Sequence, residues 1–95
     1  MRYIKTHWIH EFPDEPEWLL SEIDDDRWEV RKVEIYRDGR VGFARPGESS
    51  GSTWLSERPI PRLDEIDSPG EFESAEISAD EFERAWERRL QSADH

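Results

Sequence analysis

The chain has 95 residues, a formal net charge of −11 at pH 7 and no cysteine. The missing thiols exclude a disulfide framework, a thiolate nucleophile and the usual cysteine-based zinc site, and the negative balance disfavours nucleic acid, whose phosphates need a basic footprint. Only 34% of residues are hydrophobic, but 12% are aromatic, which points to one folded domain over 1–95 with a thin, aromatic-rich core rather than to disorder.

Met1 to Lys5 lacks the apolar run of a signal peptide, and no stretch approaches the roughly 18 apolar residues of a membrane span. A cytoplasmic protein with no membrane partner is expected. Residues 3–10 (YIKTHWIH) are β-branched and aromatic without helical spacing, which predicts a strand. Two prolines make 11–16 (EFPDEP) a loop. A second strand follows over 17–23, an acidic turn at Asp24-Asp25-Asp26-Arg27, and a third strand over 28–36 (WEVRKVEIY). Asp38-Gly39 between two alternating runs is a two-residue hairpin signature. That turn would set Tyr36 opposite Val41, Glu34 opposite Phe43, Ile35 opposite Gly42 and Val33 opposite Ala44. The small residues across from Ile35 and Val33 would leave a trough able to seat a helix. Trp28 and Val30 are out of phase with Val33 and Ile35, so a bulge near Arg31-Lys32 is expected.

Residues 46–53 (PGESSGST) read as a flexible polar loop, 53–57 as a short strand and 58–61 as extended chain. One or two helical turns are expected over 62–67, and a turn at Ser68-Pro69-Gly70. Ser78 and Glu81 have the capping-box spacing of a helix start. Phe82, Trp86 and Leu90 then form one apolar stripe, and Trp28 joins them in the expected core. The predicted fold is α+β: an antiparallel meander sheet of four to five strands with the C-terminal helix packed on one face.

The run HWIHEFPDEPEWLLSEIDDDRWEVRKVEIYRDGRVGFA, with LSERPIP and EISADEFERAW, resembles a family of short acidic bacterial proteins common in actinomycetes and catalogued only as a domain of unknown function. The resemblance covers nearly the whole chain and implies a free-standing single domain; it carries no catalytic residues. In composition the chain is also similar to immunity proteins of bacterial toxin systems.

His7 and His10 are three apart, and strand alternation would send them to opposite faces. A shared metal is therefore not expected, and neither a cofactor nor a catalytic residue is assigned. A lone histidine beside carboxylates has base chemistry available to it, but no nucleophile motif accompanies it. Asp24, Asp25 and Asp26 lack the alternation, glycine and distal glutamate of an EF-hand loop. They read as a solvated turn or as a face for a basic partner.

The hairpin 30–46 holds Arg31, Lys32, Arg37, Arg40 and Arg45 against Glu34 and Asp38, a local +3 that leaves −14 elsewhere. Arginine outnumbers lysine eleven to two and asparagine is absent. Such a bias fits a GC-rich coding sequence and weakens any argument from arginine content alone. Either these arginines pair across strands with Glu22, Asp24 or Glu29, or Arg31, Arg40 and Arg45 join Ser50 and Ser52 in an anion pocket. The leading expectation is a non-catalytic acidic protein-binding module, immunity- or antitoxin-like, that masks a basic partner protein through Trp18, Asp24, Asp25, Asp26 and Trp54. The alternative is a protein that binds a nucleotide or another anion at the basic hairpin and the Ser/Gly loop. No oligomeric state is specified by the pattern.

Overall fold

The computed structural model describes residues 1–51, 53–67 and 70–92. The β-branched and aromatic runs become β1 (Arg2–Trp8), β2 (Trp18–Ile23), β3 (Glu29–Ile35) and β4 (Val41–Arg45). The polar loop after β4 contains a two-residue strand, β5 (Glu48–Ser49), which folds back on β4. A short helix α1 (Leu63–Asp67) precedes β6 (Phe72–Ile77), and α2 (Ala79–Ser92) follows.

Among the described residues the sheet has six strands, not four to five, in the order β5-β4-β3-β2-β1-β6. All neighbours are antiparallel. The meander holds through β5. The chain then crosses to the far edge, where β6 pairs with β1, Tyr3 opposite Ile77 and Trp8 opposite Phe72. The segment 53–57 is not a strand. It belongs to a strap, residues 53–61, that is tied to the sheet by separate hydrogen bonds instead of a continuous ladder. In the expected turn at 68–70, Ser68 and Pro69 lie outside the described residues, and the Gly70 amide donates to the Asp67 carbonyl at 3.0 Å.

The β3–β4 register differs from the sequence reading by one residue. Ile35 faces Val41, Glu34 faces Gly42, Val33 faces Phe43 and Lys32 faces Ala44. The connection is a three-residue loop, because the Gly39 amide donates to the Tyr36 carbonyl (3.0 Å) and the Tyr36 amide to the Arg40 carbonyl (2.9 Å). Gly39 has φ +92°, the left-handed position that follows a type I turn in three-residue hairpins. Asp-Gly therefore marks the turn, but the loop begins at Arg37, one residue earlier than a two-residue loop would. The expected bulge is present. Glu22 faces Arg31 and Ile23 faces Glu29, which leaves Val30 as the extra residue, one position before the expected site.

That shift decides what covers each face. On one face Leu20, Val33, Phe82, Ala85 and Trp86 form the buried core, with Tyr3, Trp18, Ile35, Val41, Phe43 and Ile77 packed around it. The α2 helix lies here, its start capped by the Ser78 hydroxyl, which accepts the Glu81 amide at 3.1 Å. The Glu81 carboxylate leaves the capping box and takes the Lys5 ammonium at 3.0 Å. Phe82 and Trp86 are buried, but Leu90 is 57% exposed. The Arg89 guanidinium, not Leu90, lies against the Trp86 and Phe43 rings, at 4.3 and 5.5 Å. Trp28, also expected in the core, is 45% exposed. It precedes β3, its amide and carbonyl both tied to Asp24.

The opposite face carries Ile4, Ile23 and Ala44 with Thr6, Ser21, Glu29 and Glu34, all buried. The small residues Gly42 and Ala44 sit on this side, so the trough seats the strap and not the helix. A Cβ on Gly42 would lie 2.2 Å from Thr53 Oγ1. Thr53 in turn donates to Glu34 Oε1 at 2.6 Å.

Candidate functional site

The strap runs back along β3 through a series of anchors. Thr53 bonds Glu34, the Trp54 carbonyl accepts from Lys32 Nζ (3.2 Å), and the Ser56 amide donates to Glu29 Oε1 (2.8 Å). Glu29 also accepts the Ser21 hydroxyl at 2.6 Å, so a buried carboxylate is met from both the sheet and the strap. At the lower end the Ile60 amide donates to the Arg27 carbonyl at 2.7 Å. Between a fully buried Thr53 and this ladder of contacts stands Trp54, 71% exposed. Its backbone is held while its indole faces water.

The acidic turn lies at the foot of the strap. Asp24 Oδ1 accepts the amides of Asp26 (3.0 Å) and Trp28 (2.9 Å), so Asp24 builds the turn. Asp25 and Asp26 are exposed, and their carboxylates have no partner among the described residues. Lys32, beneath Trp54, and Asp26 are six residues apart, which even a fully extended chain would span in about 20 Å; the Arg27 turn and the Val30 bulge shorten it. Trp54 and the two free aspartates thus fall within one interface patch of ordinary size, about 800 Å² per partner.

Trp18 is elsewhere. It belongs to the α2 face, stacked on His7 with centroids 4.3 Å apart and with Lys5 Nζ 4.8 Å above its ring. His7 Nε2 lies 3.4 Å from Glu17 Oε2. His10 lies past the end of β1, where Nδ1 accepts the Phe12 amide (2.9 Å) and Nε2 donates to the Pro16 carbonyl (2.8 Å). Both ring nitrogens therefore shape the proline loop, while the ring packs edge-on to Trp8. Among the described residues no three His, Asp or Glu side chains converge as metal ligands.

The hairpin arginines are not brought together. Arg31 lies opposite Glu22 and forks onto it through Nε and Nη2 at 2.6 and 3.0 Å, with a further bond to Glu83 of α2. Its guanidinium also covers the Phe82 and Trp86 rings, 4.9 Å from each centroid. The bonded guanidinium holds the Glu22 carboxyl below its usual range despite the opposing effect of burial. The same carboxylate bonds the Tyr3 hydroxyl and pushes that phenol above its ordinary value, with burial adding to the effect. Arg40 pairs with Asp38 at the hairpin tip and Arg45 with Glu48. Ser50 Oγ accepts the Phe43 amide at 2.9 Å, and Ser52 lies outside the described residues. Cross-strand and local pairing engages these groups.

Three arginines to which the sequence reading assigns no functional role do come together. Arg2, Arg27 and Arg62 line one cleft with Ile4, Leu63 and Glu76. No spacing signal links residues so far apart in the chain. Only the φ of +69° at Arg27 marks one of them as unusual, and the sequence does not display it.

A family model described as Domain of unknown function (DUF6881) matches residues 2–91, and the chain belongs to that family. No curated protein and no solved structure matches it.

Proposed function

We propose that this family member is a non-catalytic acidic protein-binding module, immunity- or antitoxin-like and cytoplasmic, which masks a basic partner protein. The observation that carries the reading is Trp54, an exposed indole on a strap whose backbone is already anchored to β3. A tryptophan presented in this way loses little further conformational freedom on binding, and tryptophan is enriched among interface residues that dominate affinity. Asp25 and Asp26 supply unpaired negative charge in the turn at the foot of the strap, and a chain at −11 attracts basic proteins over distance. Trp18 drops out of the proposed surface because it lies on the other face of the sheet.

The test is affinity capture from the producing cells with the wild-type chain, Trp54→Ala, and the Asp25→Asn/Asp26→Asn pair, followed by kinetics of the captured protein at increasing salt. A basic partner should lose about 30-fold or more in affinity with Trp54→Ala, the scale of a dominant interface residue near 2 kcal/mol. The Asn pair should mainly slow association at low salt. Trp54→Ala should change unfolding free energy by no more than about 0.5 kcal/mol, as an exposed substitution does. Equal capture by all three chains would refute the assignment.

A further inference from the structure

The arginine cleft has a volume of about 260 Å³ and opens on the strap side of the sheet, where β1 begins and α1 packs against β6. Buried Ile4 and half-buried Leu63 provide its apolar surface. Arg27 is fixed in place, Nε donating to the Ile60 carbonyl at 2.7 Å and Nη2 to the Pro61 carbonyl at 2.8 Å. Those bonds use two of its five N–H groups and leave three. Its backbone has φ +69°, a conformation that non-glycine residues keep only where surrounding contacts impose it.

Arg2 has no side-chain partner among the described residues. Arg62 reaches Glu65 at 3.3 Å and Asp64 at 3.8 Å through Nε alone, and its side chain is 71% exposed; pairs of that kind hold weakly. The cleft therefore offers many unmet N–H donors and, in Glu76, one carboxylate. Its four ionisable lining side chains sum to +2. Asp64 and Glu65, against Nε of Arg62 at the rim, reduce that excess, whereas acids farther away are screened over about 8 Å at physiological salt.

We infer that the cleft binds a phosphate monoester dianion carried on a small apolar group. Guanidinium forks match phosphate oxygens in geometry, three lining guanidiniums attract a dianion more strongly than a monoanion, and the carrier would rest on Ile4 and Leu63. This site does not depend on the partner surface proposed above.

The test is an NMR titration of the full chain at pH 7.5 with phenyl phosphate, inorganic phosphate and phenyl sulfate, the last a monoanion of nearly the same shape. Phenyl phosphate should bind saturably, shift the Ile4 and Leu63 resonances, and bind about tenfold or more tightly than either control. Its affinity should fall as pH drops below about 6, where the phosphate takes up its second proton. Arg2→Ala/Arg62→Ala, two exposed side chains, should keep the dispersed spectrum and weaken phenyl phosphate at least about tenfold. Equal binding of phenyl sulfate, shifts remote from Ile4 and Leu63, or unchanged affinity in the double variant would overturn the assignment. Equal binding of inorganic phosphate would remove the apolar seat.

Discussion

Gly42→Ala adds a single methyl group at the centre of the strap contact. The glycine backbone lies outside the left-handed region, so alanine fits the local conformation, and the cost is one of space. The new Cβ would sit 2.2 Å from Thr53 Oγ1 and 3.4 Å from Thr53 Cβ. Thr53 is 1% exposed and cannot swing into solvent without giving up its 2.6 Å bond to Glu34. Overpacking of this kind costs about 1–3 kcal/mol, and a lost hydrogen bond to a charged group costs about 1.5–3 kcal/mol. A chain of this length has a total stability of about 5–14 kcal/mol, so a loss of about 2–4 kcal/mol is a large fraction. The assay is urea unfolding of wild type, Gly42→Ala, Thr53→Ala and the double variant. Thr53→Ala alone should cost about 1–3 kcal/mol, because Glu34 remains buried without its donor. In the double variant the colliding hydroxyl is gone, so the two losses should fall short of their sum by about 1 kcal/mol or more. A Gly42→Ala midpoint within error of wild type, or strictly additive losses, would refute the proposed seating of the strap.

Two further outcomes follow from the charged groups. Glu22 has a folded pKa below its unfolded value near 4.5, so its contribution is complete above that value and lost as pH falls through the folded one. Glu22→Gln should flatten the acid limb of a stability-versus-pH curve. Arg31→Met should cost about 3–5 kcal/mol near neutral pH by leaving the Glu22 carboxylate buried and unpaired, and pairing it with Glu22→Gln should recover part of the loss. At Arg27, alanine keeps the unfavourable φ and loses both bonds to the strap carbonyls, a cost of about 2–3 kcal/mol. Glycine loses the same bonds but removes backbone strain worth about 1–2 kcal/mol, so Arg27→Gly should be the milder substitution in thermal unfolding.

The elements that sequence pattern displays well are those whose partners lie nearby in the chain. The runs 3–10, 17–23 and 28–36, the Ser78 cap and the Phe82/Trp86 stripe all correspond to observed structure within a residue or two. Where the reading departs from the fold, one cause is turn chemistry. Asp38-Gly39 fits a two- or a three-residue loop, and the single-residue difference moves Gly42 and Ala44 from the helix face to the strap face. Another cause is edge position. FESAEI carries glutamates that disfavour a strand prediction, but at the sheet edge they face water and protect β6 from unwanted pairing. The strap reads in the sequence as a short strand over 53–57 followed by extended chain, and the strand does not form because isolated side-chain and amide bonds to Glu34, Lys32 and Glu29 hold it in place of a ladder. For the candidate site, the Asp25/Asp26 tip could be read from a run of like charges. The pairing of Arg31 with Glu83 and the meeting of Arg2, Arg27 and Arg62 depend on tertiary approach, which no local spacing encodes.

The position of β1 between β2 and β6 has a consequence for biosynthesis. β1 emerges from the ribosome first, yet one of its two hydrogen-bonding edges has no partner until residues 72–77 appear. At about 5–20 residues per second that wait is on the order of 4 to 15 s. For that interval the nascent chain would carry an open edge beside Ile4, and the core face would still lack Phe82 and Trp86. Stalling or truncation before residue 77 would extend that exposure, so the last quarter of the chain decides whether the first strand is protected from pairing with another molecule.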